Sequence, residues 1–242
     1  MIRLGCEGKV VRLTLDRPEA RNAIPGEGWD QIADRLTEIA RTDARLLIVS
    51  GAGGAFCSGV DLSDFGRFLG DAEASARLRQ RIRAALDRLR ALEIPTIAMI
   101  EGPCYGAGVA LAIACDLRIA APEAKFAITP AKLGLAYPQE DVHRLVRLVG
   151  AGQAARLLFT AGMIDAMEAR RIGLVEIVEP AAAAKPILQS MLDNSADSLA
   201  VLKRSIRLTA EGVRSDPEQD RRFDALLSGE EVARRLDALR RQ

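Results

Sequence analysis

The sequence predicts an α/β fold, because short apolar segments alternate along the chain with longer segments of helical periodicity. Alternating apolar and polar residues predict a strand over 10–15, and apolar runs predict buried strands over 46–49 and 95–100. After about residue 150 the chain becomes rich in Ala, Leu and Arg, a composition typical of helices. We therefore expect a body of strands and helices followed by a helical region.

The remaining elements follow in order along the chain. Apolar residues at three- and four-residue spacing predict amphipathic helices over 27–41 and 72–92. Asp61, which follows a Gly-rich loop, is placed to cap the helical turn after it. Further predicted elements are a helix over 109–114, a strand over 116–120, helices over 138–149, 151–160 and 165–172, a strand over 174–178, and helices over 196–211, 217–228 and 230–240.

The terminal helices carry apolar stripes with charged outer faces. Helices of this kind cannot bury their stripes alone. We therefore expect residues 1–180 to form the core and residues 181–242 to form a helical region that packs on this core or on a neighbouring subunit.

The charge balance excludes several classes of protein. The chain has 34 Lys and Arg against 33 Asp and Glu, a net charge of +1, which predicts neither nucleic-acid nor membrane binding. Its single histidine, His143, excludes sites that need two imidazoles, and its four cysteines lack CxxC spacing, so no metal site is predicted.

No signal peptide is visible, and we expect a cytoplasmic protein with reduced thiols that behave as small buried apolar side chains.

The Gly-rich loops do not match the common nucleotide or hydrolase motifs. Gly106 and Gly108 lack the third glycine of GxGxxG, and Gly8-Lys9 is not followed by Ser or Thr as a P-loop requires. Ser58 does not stand in a GxSxG motif. The sequence therefore argues against dinucleotide binding, P-loop ATP binding and serine hydrolysis.

Two small-residue segments remain, at 55–62 and 102–111. Each follows a predicted strand, and the second opens a predicted helix. Tight turns of small residues leave backbone N–H groups exposed, and a helix N-terminus adds the positive end of its dipole. Two such N–H groups that converge on one point form an oxyanion hole, which needs no special side chain.

These segments, taken with the rest of the chain, resemble the crotonase (enoyl-CoA hydratase/isomerase) superfamily. Segment 15–23 resembles its first loop, 50–61 its oxyanion and CoA loop, and 102–116 its second oxyanion loop and helix. Segments 126–145, 156–161 and 169–178 are similar to its later body. All of them occur in the family's order and at its spacing, over nearly the whole chain.

The resemblance implies a ClpP/crotonase-like spiral of ββα units with a C-terminal helical region used for trimer contacts. It implies a homotrimer, or a hexamer of paired trimers. The resemblance also implies an acyl-CoA substrate as the binding partner, as in fatty acid metabolism. It implies no separate cofactor, because coenzyme A is part of the substrate.

The resemblance also assigns residues to the site. The N–H groups of Val60 and Ala107 would hold the thioester oxygen and stabilise an enolate. Ala20 and Ala23 of the first loop would line coenzyme A. So would Ser58, Val60, Asp61 and Leu62.

The departures from the family pattern concern the general base. Hydratases of this family carry two catalytic glutamates, and the corresponding positions here are Ala110 and Pro130. Glu140 is a candidate replacement, although it lies two residues beyond position 138, near which some family isomerases place their base. Asp141 is a weaker candidate.

Three activities therefore remain open. The first is hydration or isomerisation by a non-standard base. The second is a lyase reaction, because the segment up to Tyr137 is similar to methylmalonyl-CoA decarboxylase, where a Tyr orients the leaving carboxylate. That enzyme has a His where this chain has Val60, so the similarity is incomplete. The third is acyl-CoA binding without catalysis.

Overall fold

The computed structural model describes residues 1–241, so that Gln242, the last residue of the predicted region 181–242, lies outside them. Within the described residues, the larger sheet has six strands. In spatial order they are β1 (Ile2–Glu7), β2 (Val10–Leu15), β3 (Leu46–Gly51), β4 (Thr96–Ile100), β6 (Leu117–Ala120) and β9 (Ile177–Val178). β1 and β2 pair antiparallel, and every other neighbouring pair is parallel. A smaller sheet contains β5 (Pro103–Tyr105), β7 (Lys125–Ala127) and β8 (Ile164–Asp165).

Nine α-helices lie among the described residues. They are α1 (Gly26–Ile39), α2 (Ala72–Ala91), α3 (Ala107–Ala114), α4 (Gln139–Thr160), α5 (Ala166–Arg171), α6 (Lys185–Asp193), α7 (Ala196–Ala210), α8 (Pro217–Leu227) and α9 (Glu230–Leu239). The predicted α/β class and the helical character of the last part of the chain are confirmed.

The larger sheet is covered on both faces, as a mostly parallel sheet requires. Side chains of β3 alternate between the faces. Leu47 and Val49 belong to the main core, which also includes buried side chains of α1, α2 and α3. Leu46 and Ile48 belong to a second core cluster, against which apolar residues of α6 pack. The first helix of the C-terminal region therefore lies on the body of the molecule.

Two predicted elements differ in detail from the structure. The strand predicted over 174–178 shrinks to Ile177–Val178, because the N–H of Leu174 donates instead to Ala169 O (2.9 Å) in a turn that ends α5. The helices predicted over 138–149 and 151–160 adjoin within α4, and the backbone breaks between them at Gly150 (φ +75°).

The last three helices are partly tied to the body. Lys203 of α7 places its Nζ 2.8 Å from Ile94 O and 2.8 Å from an Asp116 carboxylate oxygen. Apolar side chains of α7 to α9 nevertheless remain exposed, among them Leu202, Ile206, Phe223, Leu227, Leu236 and Leu239. None of the helices described over residues 1–241 combines the length and apolar character needed to cross a membrane.

Candidate active site

A cavity of about 350 Å³ opens where the two small-residue loops meet α2 and the start of α4. Its wall is mainly apolar, and the side chains that provide it are Val60, Leu62, Phe65, Phe68, Leu69, Leu78, Ile82, Leu133 and Leu135. Four charged residues also line it: Arg79, Arg83, Glu140 and Asp141. A mainly apolar pocket with a few convergent polar groups is typical of a small-molecule site.

The two loops are held directly against each other. Cys57 and Cys104 form an isolated parallel β-bridge, and the N–H of Tyr105 donates to Cys57 O at 2.8 Å. A Cβ at Gly108 would lie only 2.3 Å from Cys57 O, so that no larger residue fits this approach. This packing fixes the position of segment 58–60 relative to the start of α3.

Two backbone N–H groups on this wall are free to bind a ligand. Among residues 1–241, neither Val60 N–H nor Ala107 N–H donates a hydrogen bond to another group. Ala107 is the first residue of α3, where the positive end of the helix dipole adds to the N–H group. Gly59 (φ +103°) brings the loops together, since a Cβ there would lie 3.2 Å from Ala107 N. Val60 and Ala107 line the same cavity, and two N–H groups that converge on one point there would form an oxyanion hole.

The first loop, residues 15–23, packs against the segment that carries Val60 and holds it through hydrogen bonds and an ion pair. Asn22 is buried in a left-handed conformation (φ +57°), and its Nδ2 donates to Ala52 O (2.9 Å) and Ala55 O (2.7 Å). Arg17 forms an ion pair with Asp61, whose carboxylate also accepts from Ser63 N (2.9 Å) and so caps the short 3₁₀ helix Leu62–Arg67. The predicted capping role of Asp61 is confirmed.

The Arg17 hydrogen bond, followed by those from Ser63, lowers the pKa of Asp61 to about 2. A lowered pKa in the folded state means that the pair stabilises the protein above the unfolded value of about 4. This contribution is lost as the pH falls from about 4 toward 2. We expect the free energy of unfolding of the wild type to exceed that of Asp61→Asn at pH 7, and the difference to shrink below pH 4 in urea titrations. A difference that stayed constant from pH 6 to pH 3 would contradict this assignment.

Tyr137 lines the cavity, and its hydroxyl is bonded to the turn at the start of α3. Its hydroxyl donates to Gly106 O at 3.1 Å, directly before Ala107. Burial raises the pKa of the Tyr137 phenol well above its ordinary value, so the group stays neutral and remains a donor. Tyr137 thereby holds the turn that carries the Ala107 N–H.

We expect Tyr137→Phe to lower the free energy of unfolding by about 1 kcal/mol, because it removes one hydrogen bond to a buried turn. The matched control is Tyr105→Phe, since the Tyr105 hydroxyl donates to Met163 Sδ (3.4 Å) at an exposed position. Urea unfolding measures both. Equal stability of the two variants would argue against the positioning role of Tyr137.

The carboxylates on the cavity wall are Glu140 and Asp141, both in the first turn of α4. Asp141 is buried and lies 3.3 Å from Arg83 and 3.0 Å from Arg144. Burial, only partly offset by these arginines, raises the pKa of Asp141. Glu140 is exposed, and its nearest cation is Arg83 at 3.9 Å, too far for a hydrogen bond. Glu140 is therefore the carboxylate of this wall that no close ion pair holds in place.

Ala110 and Pro130 occupy the positions at which the family resemblance places the two glutamates. Ala110 is buried in α3 and is not on the cavity wall, whereas Pro130 lies on the wall and starts the 3₁₀ helix Pro130–Leu133. Neither residue has a titratable side chain. A proton transferred in this cavity must therefore use another group.

The positions predicted to bind coenzyme A fall into two sets. Ser58 and Leu62 line the cavity together with Val60. Ala20 and Ala23 lie outside it, but Ala20 O accepts the Ser58 hydroxyl at 3.1 Å, so the first loop borders the cavity mouth. The side chain of Asp61 is engaged by Arg17 and Ser63 and does not line the cavity.

The cysteine thiols and the imidazole of His143 are not placed or protonated in a way that suits proton transfer in the cavity. Burial raises the pKa of Cys57 to about 12, and that of Cys104 well above its ordinary value, so both thiols are protonated. The prediction of buried cysteines holds for these two and for Cys115, but it is wrong for Cys6, which is exposed on β1. His143 is exposed on α4 and does not line the cavity.

Sequence reasoning missed the two arginines on the cavity wall and the role of Asn22. Arg79 and Arg83 share a face of α2 with Leu78 and Ile82. Charged residues on an otherwise apolar helical stripe were therefore the sequence feature that could have predicted them. Asn22 acts through hydrogen bonds to residues about 30 positions away, which no local pattern reveals.

Comparison with known proteins gives one consistent family. Residues 5–230 match the sequence model of the enoyl-CoA hydratase/isomerase family. The chain is 32% identical to an enoyl-CoA isomerase/hydratase of Mycosarcoma maydis, over 82% of this chain and 76% of the relative. It is 33% identical to the short-chain-enoyl-CoA hydratase of Clostridium acetobutylicum, over 93% of this chain and 86% of the relative.

The fold agrees with this result. The crystal structure of an enoyl-CoA hydratase/isomerase family protein from Hyphomonas neptunium superposes with a TM-score of 0.93 at 36% sequence identity. The alignment covers 98% of this chain and 94% of that protein. The expected crotonase-like fold, including a helical C-terminal region, is confirmed.

Proposed function

Because the chain belongs to the enoyl-CoA hydratase/isomerase family, we propose that it binds an acyl-CoA thioester and stabilises the enolate of its acyl group. The thioester oxygen accepts hydrogen bonds from Val60 N–H and Ala107 N–H. The observation that carries this proposal is that both N–H groups lack a partner among residues 1–241 and belong to residues that line one mainly apolar cavity. An apolar, partly desolvated site strengthens such hydrogen bonds as negative charge develops on the oxygen.

Coenzyme A enters along the first loop in this proposal. Ala20 and Ala23 border its nucleotide end, while Ser58 to Leu62 follow the pantetheine arm toward the oxyanion hole. Ser58, Val60 and Leu62 lie on the cavity wall, which supports this direction. The acyl group then lies against the apolar side chains of α2 and of the 3₁₀ helix before it.

Glu140 is the proposed general base. In isomerisation it removes a proton from the carbon next to the thioester and returns a proton further along the chain. In hydration it removes a proton from water as the oxygen attacks the double bond, and the resulting enolate is then protonated on carbon. Its position on the cavity wall, outside the close ion pairs of Asp141, supports the assignment. A carboxylate within hydrogen-bond reach of the reacting atoms performs either step.

A decarboxylase mechanism has less support from the contacts of Tyr137. Its hydroxyl already donates to Gly106 O, so orienting a leaving carboxylate would require that bond to break. We therefore assign Tyr137 a positioning role. A silent acyl-CoA-binding protein is the second candidate, because Ala110 and Pro130 stand at the positions to which the family resemblance assigns the two glutamates.

A turnover panel separates these candidates. Purified protein is incubated with a 2-enoyl-, a 3-enoyl- and a malonyl-type CoA thioester, and products are separated by chromatography. Conversion of either enoyl thioester supports the proposal, and conversion of the malonyl-type thioester alone favours the decarboxylase. Tight binding of all three thioesters without turnover of any would contradict the proposal that the protein is an enzyme.

We also propose that the protein assembles into trimers, alone or paired as hexamers, through the helical region at 181–242. The exposed apolar side chains of α7 to α9, such as Ile206 and Phe223, support a surface that another subunit covers. Light scattering coupled to size exclusion measures the mass. A monomeric mass at micromolar concentration would contradict the proposal.

A further inference from the structure

The side of α2 that lines the cavity carries charged residues among its apolar ones. Its cavity-lining residues recur at three- and four-residue spacing, which places them on one helical face. They are Ser75, Leu78, Arg79, Ile82 and Arg83. Two guanidinium groups therefore interrupt the wall that the proposed function assigns to the acyl group.

The two arginines differ in their partners. Arg83 lies 3.3 Å from Asp141, 3.5 Å from Asp87 and 3.9 Å from Glu140, so carboxylates surround its charge. Arg144 pairs with the same two aspartates from the other side. Arg79, in contrast, is exposed to solvent and has no carboxylate within 4.0 Å among residues 1–241. Arg79 is therefore the cation of this wall whose charge no described residue balances.

The surroundings of Arg79 favour pairing with an anion. Apolar side chains of Phe65, Phe68 and Leu78 line the same cavity, and a filled cavity would remove water from the guanidinium. A charge that loses its water is stable only when it is paired and hydrogen-bonded. Next to it, the buried Nε and Nη1 of Arg83 also lack hydrogen-bond partners among the described residues. This part of the wall thus offers guanidinium donors, and among its described residues Glu140 is the carboxylate outside a close ion pair.

We infer that the substrate is a CoA thioester whose acyl group carries a carboxylate at its far end, and that Arg79 binds this carboxylate. The inference rests on the proposed function, since it assumes that an acyl-CoA occupies the cavity. Arginine suits this role because its planar guanidinium donates two parallel hydrogen bonds to a carboxylate. Arg83 keeps its pairs with Asp141 and Asp87 and adds positive potential behind Arg79.

The test compares thioesters that differ only in terminal charge. Succinyl-, glutaryl- and adipyl-CoA are each matched with a neutral thioester in which two methyl groups replace the two carboxylate oxygens. Isothermal titration gives the dissociation constants, and these saturated chains avoid turnover. We expect at least one dicarboxylyl thioester to bind about tenfold more tightly than its neutral match, the scale of one hydrogen bond to a charged group.

Arg79→Gln should abolish this preference and leave the neutral thioesters within about twofold of the wild type. Arg77→Gln is the matched control, because Arg77 lies on the same helix, pairs with Glu73 and does not line the cavity. It should preserve the preference.

Three other binding results would overturn the inference that Arg79 binds a terminal carboxylate. Equal or weaker binding of all three dicarboxylyl thioesters, with normal binding of the neutral ones, overturns this inference and leaves the proposed function intact. Equal weakening of both kinds by Arg79→Gln would assign Arg79 to the phosphates of coenzyme A and also overturn it. Binding of no thioester at all would overturn the proposed function, and this inference with it.

Discussion

Replacement of Ala107 by proline is expected to lower kcat by about 10²- to 10³-fold, the effect of removing one donor from an oxyanion hole. Proline has no backbone N–H, so the variant removes the proposed donor itself. Ala107 is the first residue of α3, the one helical position where proline is favoured, and its N–H makes no bond within residues 1–241 that would be lost. The fold should therefore survive while the chemistry fails.

The matched control is Ala107→Gly, which retains the N–H and should stay within about tenfold of wild-type kcat. Circular dichroism and urea unfolding of both variants establish that α3 is intact. Turnover is measured with whichever enoyl-CoA the wild type converts. Similar kcat values for the proline and glycine variants, both folded, would contradict a role for the Ala107 N–H.

Replacement of Glu140 by glutamine is expected to lower kcat by about 10²-fold, the scale of general acid–base catalysis. Glutamine keeps the size and the hydrogen-bonding shape of the side chain but cannot take up the proton. Because Glu140 is exposed and its nearest cation lies 3.9 Å away, the change should cost little stability. The KM for the thioester should change less than kcat.

Glu123→Gln provides the control for this variant. Glu123 is an exposed glutamate that does not line the cavity, so its loss changes the net charge equally without touching the site. Steady-state kinetics of the two variants give the comparison. If Glu140→Gln retained wild-type kcat, the base would have to be another group, with buried Asp141 the next carboxylate on the wall.

The main elements of the fold were predictable because their signals are local. The apolar run that became β3 and the periodic stripe of α2 lie within single segments of the sequence. β1 was not predicted. Its apolar residues Ile2, Leu4 and Cys6 do alternate with Arg3, Gly5 and Glu7, but the alternation spans only six residues, most of which are exposed. The strands of the smaller sheet have only two or three residues, too few to show any period.

The candidate site was predictable only in part. The small residues around Val60 and Ala107 indicated free N–H groups, because turns and helix starts expose them. The engagement of Tyr137 with Gly106 and of Arg83 with Asp141 joins residues 31 and 58 positions apart. Contacts of that range depend on how the loops pack, and the sequence pattern alone does not specify them.

The most direct test of the central claim is a crystal structure of the protein with a saturated acyl-CoA, such as butyryl-CoA, bound. We expect the thioester oxygen to lie about 2.7–3.1 Å from both Val60 N and Ala107 N, with the acyl chain directed toward α2. A thioester oxygen that contacts neither N–H, while the acyl chain fills the cavity, would contradict the account.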